Sequence, residues 1–145
     1  MRRTLQPLIA LVVVAMGPVH AKGLSAVCLQ LQGAKVVPGT PATIERETQD
    51  GPILLIDAAK PQLFTSIWKS RLFDRETVDK YEGVVLEFSN ERMHAVEKDQ
   101  YGLTSYSLFL PTGQLFYSNL RYSSLLSKEP SLLAFVTTCH ITVRP

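Results

Sequence analysis

From Leu24 to Val143 the chain is a succession of short apolar, aromatic and β-branched runs, interrupted at regular intervals by Gly, Pro, Asn, Asp and Ser. Side chains of these types fit a pleated, half-buried surface, and the interrupting residues suit turns, so the pattern predicts strands. The clearest unit is residues 104–110, then Pro111-Thr112-Gly113, then residues 114–122: two strand-like runs joined by a short glycine-containing loop, read as a long hairpin.

The other runs are read in the same way. Residues 24–31 form a first strand, and residues 34–37 run into the break Pro38-Gly39-Thr40-Pro41. Residues 42–47 and 52–57 flank Asp50-Gly51, a pair suited to the positive φ of a tight turn, and are expected to form a hairpin. Residues 63–68 make another strand, with Trp68 in the core. Asp74 can cap a single helical turn through Asp79, connecting two strands. Residues 84–88 and 93–98 are strands followed by a turn at 99–102, and residues 132–143 are the last strand. Without a repeat or inter-domain linker, this predicts one small all-β, mainly antiparallel domain, a sandwich or open barrel closed by one disulfide.

The N-terminus carries Arg2 and Arg3, an apolar stretch from Leu8 to Met16, then Gly17-Pro18 and the small-residue end Val19-His20-Ala21. That order is the layout of a cleavable signal peptide, with residues 1–21 removed and a mature domain of residues 22–145. The apolar stretch falls short of the ~20 residues that cross a bilayer, so no stable membrane insertion is expected after cleavage. Lys22 stands where a lipoprotein needs cysteine. A soluble protein of the periplasm is therefore expected.

Export bears on the cysteines. Cys28 and Cys139 are the only two, and an oxidising compartment lets such a pair form and keep a disulfide. It also bears on charge: removing Arg2 and Arg3 leaves thirteen basic residues against thirteen acidic ones. A near-neutral chain lacks the concentrated basic surface that nucleic acid requires, so no nucleic-acid partner is expected. Residues 74–99 hold eight acidic and four basic side chains, read as an acidic, solvated face.

Local signatures of chemistry are missing. There is no Walker-type loop, dinucleotide fingerprint, His-Glu-x-x-His pair or Gly-x-Ser-x-Gly elbow. His94 and His140 do not stand at metal-ligand spacing, so neither a metal nor a cofactor is expected. His94 beside Glu91 and Glu97 is the one arrangement that suggests acid–base work, in a small envelope enzyme. The weight of these observations is against an enzyme.

A binding surface is the alternative, and residues 115–124 have its composition, rich in Tyr, Ser, Asn and Arg. On a strand, Phe116, Ser118, Leu120 and Tyr122 share one face and Tyr117, Asn119, Arg121 and Ser123 the other, read as the wet one. The loop that follows, through Lys128 and Glu129 to Pro130, is a natural protruding element. The candidate partner-binding residues are Tyr117, Ser118, Arg121, Tyr122, Ser123, Ser124, Lys128 and Glu129.

Two resemblances bear on the partner. The plan of signal peptide, small β-domain and single disulfide resembles periplasmic immunity proteins that neutralise muramidase effectors of type VI secretion. Ser118-Asn119-Leu120-Arg121-Tyr122 resembles the Ser-Gly-x-x-Tyr motif of bacterial C-type lysozyme inhibitors, with Asn119 at the glycine position; Tyr122-Ser123-Ser124-Leu125 ends in leucine where that family's second motif has lysine. Both resemblances imply a non-enzymatic inhibitor that occludes the groove of a peptidoglycan-degrading enzyme in a 1:1 complex. A host-defence lysozyme as target, or an assembly role in an envelope complex, are the alternatives.

Overall fold

The computed structural model describes residues 22–37, 41–72, 75–121 and 130–144. Ten strands follow in order: β1 (Gly23–Cys28), β2 (Leu31–Val37), β3 (Thr43–Gln49), β4 (Ile53–Ile56), β5 (Leu63–Leu72), β6 (Arg75–Phe88), β7 (Arg92–Lys98), β8 (Gly102–Phe109), β9 (Gln114–Arg121) and β10 (Ser131–Arg144). No helix occurs among the described residues, and so none crosses a membrane. The all-β expectation holds.

All pairings are antiparallel, in the order β1-β4-β5-β6-β7-β8-β9-β10, and β1 pairs back onto β10 to close an eight-stranded barrel. From β4 to β10 each strand pairs with the next, which needs only short connections. The closing pair holds Cys28 directly opposite Cys139, with Cα atoms 3.9 Å apart and the disulfide formed. The expected tie between the terminal strands is therefore made within the barrel wall.

β10 is long enough to serve two neighbours on one side. Its second half pairs with β1 and its first half with β2. From Cys28 to Gln32 the chain advances four residues while its partners advance three, from Cys139 to Val136, so Leu29-Gln30 carries a β-bulge. The bulge bends the line of β1, and β2 with its partner β3 continues as a two-stranded ribbon beyond the closed wall.

The hairpin expected between residues 42–47 and 52–57 is not formed, because β3 pairs with β2 and β4 with β1. β1 and β2 instead form one arm, and β3 and β4 the other, of a long hairpin; residues 38–40 of the expected break lie outside the described residues. The backbone around Asp50-Gly51 passes tightly against the first arm: a Cβ on Gly51 would lie 2.0 Å from the Leu29 carbonyl oxygen. Glycine is used there for close approach rather than for a turn. Gly113, with φ at 71°, is the residue that supplies a left-handed turn, in the expected β8–β9 hairpin.

The helical turn expected through Asp79 is also replaced. Residues from Arg75 belong to β6, which pairs with β5 as far as Leu72↔Arg75; Asp74 lies outside the described residues. The far part of this hairpin projects from the barrel and carries an exposed Lys69–Glu76 ion pair at 3.7 Å. Cross-strand pairing with β5 is what makes this charged segment extended, and the β-branched Thr77 and Val78 fit it.

Inward positions alternate along the barrel strands, interrupted on β6 by a register shift between Val85 and Glu87. One end of the interior is filled by Leu24, Ala26, Leu54, Ile56, Phe64, Met93, Ala95, Leu108 and Leu115, all buried. Toward the other end the inward side chains become aromatic and polar. That end carries the candidate site.

Candidate functional site

The barrel is fully closed only over part of its height. β4 pairs with β5 as far as Ile53↔Ile67. Beyond that level, β3 pairs with β2 alone and β5 from Trp68 onward pairs with β6 alone, among the described residues. Two free strand edges therefore flank one end of the barrel. Free edges expose unpaired backbone donors and acceptors, and β3 carries the alternating charges Glu45-Arg46-Glu47 that discourage casual pairing.

The floor of this open end is a half-buried carboxylate in a hydrogen-bond network. Glu97 points inward from β7: the Tyr106 hydroxyl donates to Glu97 Oε1 at 2.8 Å and the Ser66 hydroxyl to Oε2 at 2.8 Å. Trp68 Nε1–H donates in turn to Ser66 Oγ at 3.1 Å. Burial pushes the Glu97 carboxyl above its ordinary range, outweighing the two donated hydrogen bonds, and the nearby Asp99 charge adds to the shift. The Tyr106 hydroxyl is raised too, first by burial and then by the Glu97 charge.

Around this network lies a stack of aromatic rings. Ring centroids are 4.8 Å apart for Phe64 and Tyr106, 5.3 Å for Tyr106 and Tyr117, 5.2 Å for Trp68 and Tyr117, and 5.8 Å for Tyr117 and Phe135. Their tilted arrangement is favourable for aromatic quadrupoles. Burial, then the Glu97 charge, pushes the Tyr117 hydroxyl up to about 12. Nearer the rim, Asn119 Nδ2–H donates to Thr104 Oγ1 at 2.7 Å, and Arg121 Nε–H donates to Asn119 Oδ1 at 3.2 Å. This chain fixes the base of the Arg121 guanidinium on the end of a rigid strand.

The face assignment on β9 is thereby corrected. Tyr117 and Asn119 are 7% and 6% exposed and belong to the interior, whereas Phe116 at 50% and Leu120 at 39% face outward. The inversion has a physical cause: among the described residues no buried side-chain polar atom lacks a hydrogen-bond partner, so burial strands none. Ser118 is half-buried on the outer face and Arg121 half-buried at the rim. Tyr122, Ser123, Ser124, Lys128 and Glu129 lie outside the described residues.

Glu97 also corrects the reading of residues 74–99 as uniformly solvated, since its carboxylate is part of the core network. The imagined pairing of His94 with Glu97 is not made. His94 stands on the outer face of β7, its Nδ1 2.8 Å from Ser107 Oγ, while Glu97 points inward. Glu91 sits in the turn before β7, its backbone N–H bonded to Ser89 Oγ. No group of metal-ligating side chains forms among the described residues.

The sequence reading missed Ser66, Thr104 and Tyr106 as members of a site, and took Glu97 only as a partner of His94. A signal was present: Thr104-x-Tyr106 and Tyr117-x-Asn119-x-Arg121 put polar groups at every second position of two adjacent strands. Such alternation shows that a face is shared. It does not say which face is inside. Comparison of the chain with family models, curated proteins and solved structures finds no match.

Proposed function

We propose that the mature protein is a non-enzymatic inhibitor of the periplasm, an immunity protein that binds a secreted peptidoglycan hydrolase 1:1 at the open end of the barrel. The observation that carries this reading is the coincidence, at that end, of two free strand edges with the rim-mounted Arg121. Free edges accept an extended segment of a partner through backbone hydrogen bonds. A guanidinium offers donors matched to a carboxylate, and peptidoglycan hydrolases of the glycosidase type depend on catalytic carboxylates. β9 and β10 are paired to their ends at Arg121↔Ser131, so the rim is held by the sheet before any partner arrives, which limits the entropy lost on binding.

The test uses the oxidised mature chain and the hydrolase encoded beside its gene, with release of soluble peptidoglycan fragments as the readout. Stoichiometric inhibition is expected, and Arg121→Glu should weaken it by about tenfold or more, as loss of a central anchor does. Undiminished hydrolysis at saturating protein would sink the proposal.

A further inference from the structure

The opening between β3 and β5 has a cause in the strand register. The β1–β2 arm and the β3–β4 arm keep one register from Leu24↔Ile56 to Leu31↔Gln49. Where the Leu29-Gln30 bulge bends the first arm, the second bends with it, and Gly51, tight against the Leu29 carbonyl, keeps the two together. β5 does not follow. Had β3 stayed in line with β4, Gln49 would face Arg71; instead pairing stops at Ile53↔Ile67, and over nearly all of their length the Cα atoms of β3 and β5 stay more than 8 Å apart. Neighbouring strands lie about 4.8 Å apart, so two strands with a third between them lie about 9.6 Å apart. The slit is on the scale of one missing strand.

The two faces of each lip follow from the pairings. Asn119 points inward, and its row runs through Leu133 and Lys35 to Glu45. Phe135, also inward, is opposite Gly33, which is opposite Glu47. On the other lip the inward positions are Trp68 and Ser70, with Asp79 beside Trp68 on β6. The outward positions are Ile44, Arg46 and Thr48 on β3 and Ile67 and Lys69 on β5. Inside, the slit is therefore bordered by the carboxylates of Glu45, Glu47 and Asp79; outside, by the cations Arg46 and Lys69. Lys35 stands opposite Glu45, whereas Glu47 faces a glycine.

We propose that the partner docked at the open end inserts one extended segment into this slit, with basic side chains facing the barrel interior and acidic ones facing out; the proposal rests on that docking. At this level the wall consists of β5 to β10 together with β2 and β3, and the segment joins its two loose lips as a further strand. β3 and β5 run in opposite directions, so the segment is antiparallel to one and parallel to the other. Antiparallel pairing is the more stable per residue, and β3 offers seven residues against the five positions 68–72 of β5. The segment therefore runs antiparallel to β3.

Backbone hydrogen bonds to both lips give such a segment its affinity, and the side chains at alternate positions give it its identity. Lys or Arg at the inward positions stands between Glu47 and Asp79, and Asp or Glu at the outward positions stands between Arg46 and Lys69. Opposite charges on neighbouring strands attract and like charges repel, so the charges that deter casual pairing select a strand of the complementary pattern. Arg121 sits on the wall across from the slit, on β9, and stays available to a carboxylate elsewhere on the partner.

The test titrates the isotope-labelled, oxidised mature protein with a blocked peptide, Thr-Lys-Glu-Lys-Glu-Lys-Thr, and with its charge-exchanged counterpart, Thr-Glu-Lys-Glu-Lys-Glu-Thr, following amide resonances by NMR. For the first peptide, shifts confined to β3 and positions 68–72 are expected, saturating with a Kd of about 1 mM because a free peptide must be ordered on binding. The exchanged peptide should bind at least about threefold more weakly. Glu47→Lys, opposite a glycine and so without a like-charge neighbour across the pair, should weaken the first peptide and strengthen the second. Glu45→Gln, at an exposed position, should weaken the first peptide and serves if Glu47→Lys does not fold. No shifts at about 10 mM peptide, shifts elsewhere on the barrel, or equal affinity for the two peptides would overturn the proposal. Hydrolase inhibition is measured separately: inhibition without peptide binding overturns the strand insertion and leaves the inhibitor reading standing, and peptide binding without inhibition does the reverse.

Discussion

The two ends of the barrel interior are built by the same strands to opposite specifications. On β8, Leu108 fills the closed end, whereas Tyr106 and Thr104 serve the open one. On β9, Leu115 is matched by Tyr117 and Asn119 in the same way, and on β5 Phe64 by Ser66 and Trp68. Where the wall closes on all sides, packing alone suffices and aliphatic side chains gain the most from leaving water. Where it opens, between the edges of β3 and β5, the lining is directional: each polar group is placed against a named partner, and Glu97 is held by two donors. The closed end thus contributes mainly packing and the open end mainly specific geometry.

Three perturbations would break or sharpen this contrast. The largest effect is expected at the seam of the closed wall. Replacing Cys28 and Cys139 by Ser frees a separation of 111 residues, and the chain-entropy description puts the loss at up to ~4.7 kcal/mol, read as a fall in the denaturant midpoint. Equal stability of the oxidised protein and the double variant would show that β1–β10 pairing alone closes the barrel.

Next in size is Leu108→Ala, which deletes a fully buried side chain in the closed end. The expected cost is about 3 kcal/mol, from lost transfer energy and the cavity left behind, measured by equilibrium unfolding in urea. A cost below ~1 kcal/mol would mean that the closed end repacks freely and is not the rigid half.

The smallest effect, and the one specific to the open end, is a pH dependence. The Glu97 carboxyl is raised above its ordinary value of 4.5 in the folded state, chiefly by burial. The native state therefore favours the protonated form. That contribution is fully present below the ordinary value and is lost as pH rises through the raised folded value. Glu97→Gln, which keeps the shape without the charge, should flatten the dependence over this window and match or exceed the parent in stability at neutral pH. Unfolding curves at several pH values check this; parallel pH profiles for parent and variant would remove Glu97 as the source.

Much of the wall could be read from residues in a line. Alternation with Pro111-Thr112-Gly113 marks the β8–β9 hairpin, and a single pair of cysteines marks the disulfide. The Asp50-Gly51 reading failed because a turn-favouring pair is only a local preference, and the pairing of β3 with β2 and β4 with β1 outweighs it over many hydrogen bonds. The stretch from Arg75 was misread for a similar reason: Asp74 as a possible cap suggested a helical turn, but β5 supplies a pairing template along its whole length.

The candidate site was legible only in part. Composition drew attention to β9 and to Arg121, yet the wet face was assigned to the side that turns out to be buried. Polar residues at alternate positions look alike in one dimension whether they meet water or one another. The sequence by itself determined that the chain is all-β, that its strands alternate and that its terminal strands can be tied by Cys28 and Cys139. Only the tertiary structure decided that Tyr117, Asn119 and Glu97 point inward and that Phe116 and Leu120 point out. The reason is that burial of a polar side chain depends on whether a partner awaits it inside the barrel: Tyr106 and Thr104 meet Glu97 and Asn119 from paired neighbouring strands, and Ser66 reaches Glu97 from β5, a strand 31 residues away in sequence.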